Sequence, residues 1–324
     1  MGWIMNTIKI IAQHKVFGTY FFEAFEFLYE NVRCELKVEE KKLIMTFVGR
    51  KAIPSIYNVF FKVYNLLFLI LGGFPKIEYI FENNIEADIS KWARKYDTAS
   101  NYNEPEARLC EISLKTVNES ILNKMSTIHH QTLSSLQYIT CTYYCHVVTN
   151  HRIELITHTI EGFFRHTSFY MQLLQQKKKH NPKKRKLDYI EMVERVFKRF
   201  FVYHRKYNCQ ILKSIHVKSR QEFYEIVADT RNDFSHFLES KAYRLIKGTD
   251  MVYFIDLIFY AERLFILEEV LEIKISELQV KEYMYILHDW IDEIVNKRDD
   301  RIKSKRYKFV TSVKKWNELR KMLQ

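Results

Sequence analysis

Residues 223–237 read FYEIVADTRNDFSHF, and this stretch decides how the second half of the chain folds. Residues of the kind that pack into a core recur along it at intervals of three and four: Phe223, Ile226, Val227, Thr230, Phe234 and Phe237. Such spacing is typical of an amphipathic helix that turns one face towards a core. The stretch therefore predicts a helix whose last turns also carry the polar sequence Arg231-Asn232-Asp233 and His236.

The same periodicity appears on both sides of this stretch. It predicts further helices over 153–164, 187–200, 252–270 and 278–295. Four or five amphipathic helices in succession favour a packed bundle. We therefore expect a helical bundle over residues 126–298, followed by a basic C-terminal tail or helix over 299–324.

The first part of the chain has a different pattern. Apolar and charged residues alternate from Val32 to Val38, and a second apolar run, Leu43–Phe47, follows the tetrapeptide EEKK. This pattern predicts a β-hairpin with its turn at EEKK, and residues 77–81 form a further strand candidate. Helical patterns lie near 16–31 and 54–71. Residues 1–125 are thus predicted to form a small α+β region, and the whole protein to be mainly α.

Composition supports this assignment. The chain has 324 residues, 47% of them hydrophobic, but only 7 Gly and 4 Pro. So few turn-forming residues favour long helices over a fold with many tight turns.

The net charge of +12 is concentrated in two segments. Residues 177–186 (KKKHNPKKRK) contain seven Lys or Arg and no acid, and residues 297–324 are also strongly basic. Patches of this kind suit a polyanion such as nucleic acid, or an anionic membrane surface. The alternative is a solvated loop and a frayed tail. We expect RNA binding by the first patch, through Lys177, Lys178, Lys179, Lys183, Lys184, Arg185 and Lys186.

The cysteines and the apolar segments bear on the cellular compartment. The five cysteines, an odd number at irregular spacing, favour free thiols in a reducing compartment. Cys141, Cys145 and His146 resemble part of a zinc site, but a second ligand pair is not evident, so buried structural cysteines are favoured. The most apolar stretch, 56–74, is interrupted by polar residues, and its unbroken core, Leu66–Leu71, is only six residues, far fewer than the roughly 20 of a membrane span. We expect a cytoplasmic protein without a signal peptide or a membrane span.

The polar residues of the opening stretch form a known motif. Arg231 and His236 are separated by four residues, and Asn232 follows the arginine. This arrangement resembles the R-x(4–6)-H motif of HEPN domains, and residues 140–295 most resemble the ApeA-like branch associated with abortive infection. The resemblance implies a metal-independent endoribonuclease of a bacterial toxin or anti-phage type, without a cofactor. It also implies a homodimer, and a phage-derived or other activating partner is conceivable.

The bare spacing occurs three times in the chain, so context has to separate the copies. Arg199 and His204 match with four intervening residues, and Arg152 and His158 match with five. The residues between Arg199 and His204 are expected in a helix core, and the other pair lies at the start of the first bundle helix. Only Arg231 is followed by Asn near the end of a later helix, which favours this copy.

A second pair supports this choice. Glu161 and Arg165 are four residues apart on the first bundle helix, so they share a helix face and can pair. Some HEPN proteins place an acid and a base at this spacing, facing the motif. We assign Glu161, Arg165 and Asp233 as supporting residues; the alternative for the first two is an ordinary helix salt bridge.

Arginine and histidine suit RNA cleavage by the ribose 2′-OH. Histidine can accept or donate a proton near neutral pH, and arginine remains protonated and meets the charge that develops on the phosphate. On an unbroken helix, however, five residues turn through about 500°, which leaves Arg231 and His236 about 140° apart. Either the arginine side chain bends round, or the helix breaks, or a second chain completes the site. A non-catalytic HEPN scaffold and a helical nucleic-acid-binding protein are the competing functions.

Overall fold

The computed structural model describes residues 5–13, 24–71, 75–88, 116–127, 149–165, 167–203, 217–236 and 250–275. The predicted helix over 278–295, the basic tail over 299–324 and four of the five cysteines lie outside these ranges. The chain divides into two compact units. One contains residues 1–127 and 271–283, and the other contains residues 128–270 and 284–324.

The first unit is built on a six-stranded antiparallel sheet. The strands are β1 (Asn6–Gln13), β2 (Phe25–Tyr29), β3 (Val32–Glu39), β4 (Lys42–Gly49), β5 (Lys76–Glu82) and β6 (Ile85–Glu86). Their order across the sheet is β2-β3-β4-β1-β5-β6. The predicted hairpin (β3–β4) and the predicted strand over 77–81 (β5) are confirmed. The sheet is larger than predicted, however, because β1, β2 and β6 were not anticipated.

Three tight hairpin turns explain how so large a sheet forms with so little glycine. The two central residues of each turn have positive φ: Glu30 and Asn31, Glu40 and Lys41, and Asn83 and Asn84. Two-residue hairpin loops require this conformation because it matches the twist of the strands. Asparagine adopts it more readily than most residues, and the charged residues are held there by the strand pairing that flanks them. The argument from scarce glycine against tight turns was therefore wrong for this unit.

Helix α1 (Ile53–Leu71) packs against the central strands β1 and β4. It lies where the helix near 54–71 was predicted. Ile8, Ile10, Met45 and Phe47 are fully buried in the sheet, as expected for alternating inward-facing residues. Among the described residues α1 is the one helix long and apolar enough to cross a membrane, yet 61% of that window is buried inside the protein. This burial agrees with the predicted core helix.

The predicted helix near 16–31 is wrong where the structure describes it, because residues 25–29 form strand β2. Phe25 and Phe27 alternate with Glu26 and Leu28, so a period of two competes there with the helical pattern. The first unit also contains helix α2 (Glu119–Thr127), where the hydroxyl groups of Tyr29 and Ser126 are 2.7 Å apart. Cys34 is a buried free thiol in β3, and burial raises its pKa to about 12.

The second unit is helical throughout its described part. Its helices are α3 (Thr149–Phe164), α4 (Ser168–His180), α5 (Tyr189–Tyr203), α6 (Arg220–His236) and α7 (Asp250–Phe265), and a π-helical turn (Ile266–Val270) continues α7. Helices α3 and α5 each contact both α6 and α7. Aromatic residues fill the space between them, with Phe197, Phe200 and Phe223 fully buried. The helices predicted over 153–164, 187–200 and 252–270 are confirmed.

One element of this unit differs from expectation. The basic segment 177–186 was predicted as a loop, but Lys177, Lys178, Lys179 and His180 form the last turn of α4. Positive side chains are favourable there because the carbonyl end of a helix carries partial negative charge. The loop proper begins at Asn181.

Candidate functional site

Arg231 lies close to the C-terminal end of α6 and reaches into the bundle rather than into solvent. Its side chain is only 18% exposed. One guanidinium nitrogen contacts the carboxylate of Glu161 on α3, and another donates a hydrogen bond of 3.1 Å to the side-chain oxygen of Asn232. The structure therefore brings together two positions that are 70 residues apart in the chain and that the sequence analysis had selected separately.

Glu161 holds two arginines at once. One carboxylate oxygen contacts Arg231 and the other contacts Arg165, the partner predicted from the i,i+4 spacing. The Arg165 side chain is 44% exposed, whereas Arg231 and Glu161 are mostly covered. A carboxylate shared in this way fixes the position of the inner guanidinium and offsets part of its charge.

The ring of Tyr189, the first residue of α5, covers the Arg231 guanidinium. The guanidinium carbon lies 5.2 Å from the ring centre, within the range of a cation–π interaction. The tyrosine hydroxyl donates a hydrogen bond to the Thr157 carbonyl of α3. Burial, together with the nearby carboxylates of Glu262 and Glu161, raises the pKa of Tyr189, so the hydroxyl keeps the proton that it donates. Arg231 is thus held between a carboxylate and an aromatic face.

Glu262 of α7 is completely buried beside this arginine–tyrosine pair. Its carboxyl oxygens lie 2.7 and 2.9 Å from the hydroxyl of Thr159, which itself lies 2.6 Å from the Ile156 carbonyl. Burial raises the pKa of Glu262 well above its ordinary value, partly opposed by the Thr159 hydroxyl. We refer to Thr159, Glu161, Tyr189, Arg231 and Glu262 as the Arg231 cluster.

The sequence analysis missed three members of this cluster. A signal for Glu262 was present, because it lies three or four residues from the buried Ile258, Phe259, Phe265 and Ile266, on the apolar stripe of its helix. A carboxyl group at a core position needs a hydrogen-bonding partner. Thr159 and Tyr189 carry no comparable signal, since both are ordinary residues of a helix.

Helix α6 continues without interruption through His236. Arg231 and His236 therefore occupy positions about 140° apart around its axis. A break in the helix between them, one of the three arrangements considered above, does not occur. The side chains of Asp233 and His236 lie outside the described part of the chain, whereas Asn232 is half-buried beside Arg231.

Comparison with known families bears directly on this segment. Residues 149–271 match the family described as Apea-like HEPN, and the matched segment contains α3 to α7 and the whole Arg231 cluster. This segment of the helical unit is therefore similar to an ApeA-like HEPN domain. The resemblance seen in the motif is thereby confirmed for this part of the chain. No curated protein and no solved structure matches the chain significantly.

The other two copies of the spacing occupy different places in the HEPN segment. Arg199 donates a hydrogen bond of 2.8 Å to Glu269 in the π-helical turn, and Arg195 binds the same carboxylate at 3.0 Å. This clamp joins α5 to the end of α7. His204 lies outside the described residues, and Val202, expected in the core, is 55% exposed. Arg152 and His158 both lie on α3.

The basic residues of the HEPN segment are not all available to a ligand. Lys184 bonds Asp188 at 3.0 Å and Glu191 at 2.8 Å, and Lys177 bonds Glu191 at 3.2 Å. Lys178, Lys179, Lys183, Arg185 and Lys186 are exposed. The predicted RNA-binding set therefore divides into two residues that hold the α4–α5 loop in place and five that face solvent.

Proposed function

We propose that the protein is a metal-independent endoribonuclease of the toxin or anti-phage abortive-infection type, acting in the cytoplasm. The observation that carries the proposal is the contact between Arg231 and Glu161 within a segment that matches the Apea-like HEPN family. HEPN domains are generally ribonucleases and often dimerise, which supports an RNA substrate and a homodimeric active species.

In the proposed reaction His236 of one chain removes the proton from a ribose 2′-OH. The 2′-oxygen attacks the adjacent phosphorus and the bond to the 5′-oxygen breaks. A second acid, for which His236 of the other chain is suited, protonates the leaving 5′-oxygen. Arg231 stabilises the additional negative charge on the phosphate. The products are a 2′,3′-cyclic phosphate and a 5′-OH, and no step requires a metal ion.

Asn232 belongs with Arg231 and His236 to the proposed catalytic motif, and Glu161, Arg165 and Asp233 have supporting roles. Asn232 and Glu161 orient the Arg231 guanidinium through the contacts described above. Glu161 also reduces the repulsion between positive groups that would otherwise face each other across a shared cleft. Arg165 keeps Glu161 in place by binding its second oxygen.

The decisive experiment is cleavage of intact RNA by the full chain in the presence of EDTA, followed by analysis of the product ends. We expect cleavage to persist with cyclic phosphate ends and to disappear in His236→Ala at unchanged folding. His204→Ala serves as the matched control and should cleave normally. Strict Mg²⁺ dependence with 3′-OH ends would contradict the mechanism, and an essential His204 with a dispensable His236 would show that the wrong copy was chosen.

A non-catalytic scaffold that binds RNA or a protein partner is the alternative. The covered position of Arg231 favours it, because an ion pair to Glu161 that is largely shielded from solvent also has a structural use. The two functions differ in one result: a scaffold binds RNA and leaves it intact, whatever the state of His236.

A further inference from the structure

A cleft lies between helices α4 and α5, on the side of α5 away from the Arg231 cluster. Its volume is about 520 Å³, within the usual range of ligand sites. One wall is a single face of α4, formed by residues at the helical spacing 169, 172, 173, 176 and 177, and the other is a face of α5. The start of α6 closes one end. We refer to this as the α4–α5 cleft.

Arginine stacked on an aromatic ring distinguishes this cleft from an ordinary groove between helices. The Arg220 guanidinium lies 4.9 Å from the ring centre of Phe201, and the Arg195 guanidinium lies 5.0 Å from that of Phe169. Arg220 is exposed, so its guanidinium lies over the ring and is also accessible to a ligand. Guanidinium planes and aromatic rings are the surfaces on which unpaired bases stack.

The start of α6 holds Arg220 in a fixed position. The Ser219 hydroxyl accepts a hydrogen bond of 3.1 Å from the Glu222 amide, and the Glu222 carboxylate accepts one of 2.7 Å from the Lys218 amide. This arrangement is similar to a capping box, with the carboxylate on the amide one residue before the N-cap, and it stabilises the first turn of the helix. The backbone of Arg220 is therefore held in place, and its side chain lies against Phe201.

The cleft also has positive charge that the protein does not neutralise. Within the described part of the chain, Lys198 and Arg220 form no ion pair with a carboxylate, whereas Lys177 pairs with Glu191 and Arg195 with Glu269. Two cations beside stacking surfaces match the phosphates and bases of a single strand. Glu194 also lines the cleft, and it has no cationic partner among these contacts. Burial first, and then the nearby Glu194 carboxylate, raise the pKa of Tyr224 to about 12.

We propose that the α4–α5 cleft binds a nucleotide of single-stranded RNA, with its base on the Arg220 guanidinium and its phosphate near Lys198. The identity of the strand as RNA rests on the proposed function. Arg220 and Arg231 are eleven residues apart on α6, about 16 Å along the axis. A strand of a few nucleotides is long enough to cover that distance.

The test measures binding of a 2′-O-methyl oligoribonucleotide, which lacks the attacking hydroxyl, to the full-length protein by fluorescence anisotropy over a range of salt. Lys198→Ala with Arg220→Ala should reduce the slope of log K against log salt by about 0.7, the value for one lost phosphate contact on a single strand, and should weaken binding further because the base loses its stacking surface. Arg50→Ala with Lys76→Ala removes the same charges from exposed positions of the first unit and should leave the slope unchanged.

A substitution that should strengthen RNA binding shows that the weaker binding of the first variant does not come from misfolding. Glu194→Gln removes the repulsive carboxylate and should tighten binding by about two- to fivefold, the range expected for one exposed charge interaction. At the exposed Val202, substitution by Glu should weaken binding, whereas Gln, of similar size, should have little effect.

Equal salt slopes for the cleft and control variants would overturn the proposal. The proposal would also be overturned if AMP bound as tightly as the oligonucleotide and the same variants weakened its binding, because the cleft would then be a site for a free nucleotide. Cleavage is scored separately on unmodified RNA. If the wild type does not cleave RNA but its binding still depends on the cleft residues, the proposed nuclease function is wrong and the cleft proposal holds. If the wild type cleaves RNA and the cleft variants bind the oligonucleotide as the wild type does, the cleft proposal is wrong and the nuclease function holds.

Discussion

Replacing Glu262 by glutamine should stabilise the protein increasingly as the pH rises. The prediction follows from the single hydrogen of the Thr159 hydroxyl, which lies 2.6 Å from the Ile156 carbonyl and 2.7 Å from Glu262. One hydrogen cannot be donated fully to both oxygens, so the hydroxyl stabilises the Glu262 carboxylate only in part. Complete burial therefore favours the neutral carboxylic acid form of Glu262. Glutamine is also neutral and supplies an N–H donor at the same place.

The magnitude comes from proton linkage. The folded-state pKa of Glu262 is raised above the ordinary 4.5, so the unfolded chain loses this proton first as the pH rises. The wild type therefore loses stability from about that pH up to the folded pKa, by up to about 1.4 kcal/mol per pH unit. Glutamine has no such dependence. Between pH 5.5 and 7.5 the difference in unfolding free energy should widen by up to about 2.7 kcal/mol.

The assay is denaturant unfolding of both proteins at four pH values across that window, with helical circular dichroism as the signal. Glu86→Gln, at an exposed position of β6, is the matched control and should differ from the wild type by a constant amount. A constant difference for Glu262→Gln as well would refute the reasoning, since it would mean that Glu262 titrates alike in the folded and unfolded states.

Three further predictions concern the proposed active site. Tyr189→Phe keeps the ring over Arg231 and should retain most single-turnover cleavage, whereas Tyr189→Leu should lose about two- to thirtyfold, as expected for 0.5–2 kcal/mol of cation–π interaction; equal rates would show that the ring does not position the arginine. Replacing all seven Lys and Arg of 177–186 by Ser should weaken RNA binding and reduce the slope of log K against log salt by up to about 0.7 per lost phosphate contact. An unchanged slope would show that this segment does not contact RNA. The cleavage rate should rise with roughly the square of protein concentration below the dimer dissociation constant, and a linear rate where sizing shows only monomer would contradict a shared site.

The helical unit could be predicted from sequence because its signal is local. Apolar residues at intervals of three and four set α3, α5, α6 and α7 independently of their neighbours. Helix α4 was missed because only Leu174 among its residues is fully buried, which leaves little apolar stripe to detect. The sheet was harder to predict because strands are stabilised by partners far away in sequence. Strand β1 pairs with β4 and β5, which are between 29 and 74 residues further on at the paired positions, and its own sequence does not indicate this.

The candidate site divides in the same way. Arg231, Glu161 and Arg165 were selected from spacing, and the structure places all three in one ion network. Tyr189, which covers Arg231, could be identified only when α3, α5 and α6 were packed together. A tyrosine at the start of a helix has many possible environments, and which one it adopts depends on tertiary structure rather than on its own segment.

The geometry of α6 limits the ways in which Arg231 and His236 can act on the same phosphate. Three arrangements reconcile Arg231 and His236 with one phosphate, and an unbroken helix through His236 removes one of them. A second requires the Arg231 side chain to bend round the helix towards the position of His236. Its guanidinium instead points to Glu161 and is covered by Tyr189, and leaving them gives up an ion pair and a cation–π contact together. The remaining arrangement, in which a second chain supplies the other half of the site, leaves both contacts in place, and it is the arrangement that we propose.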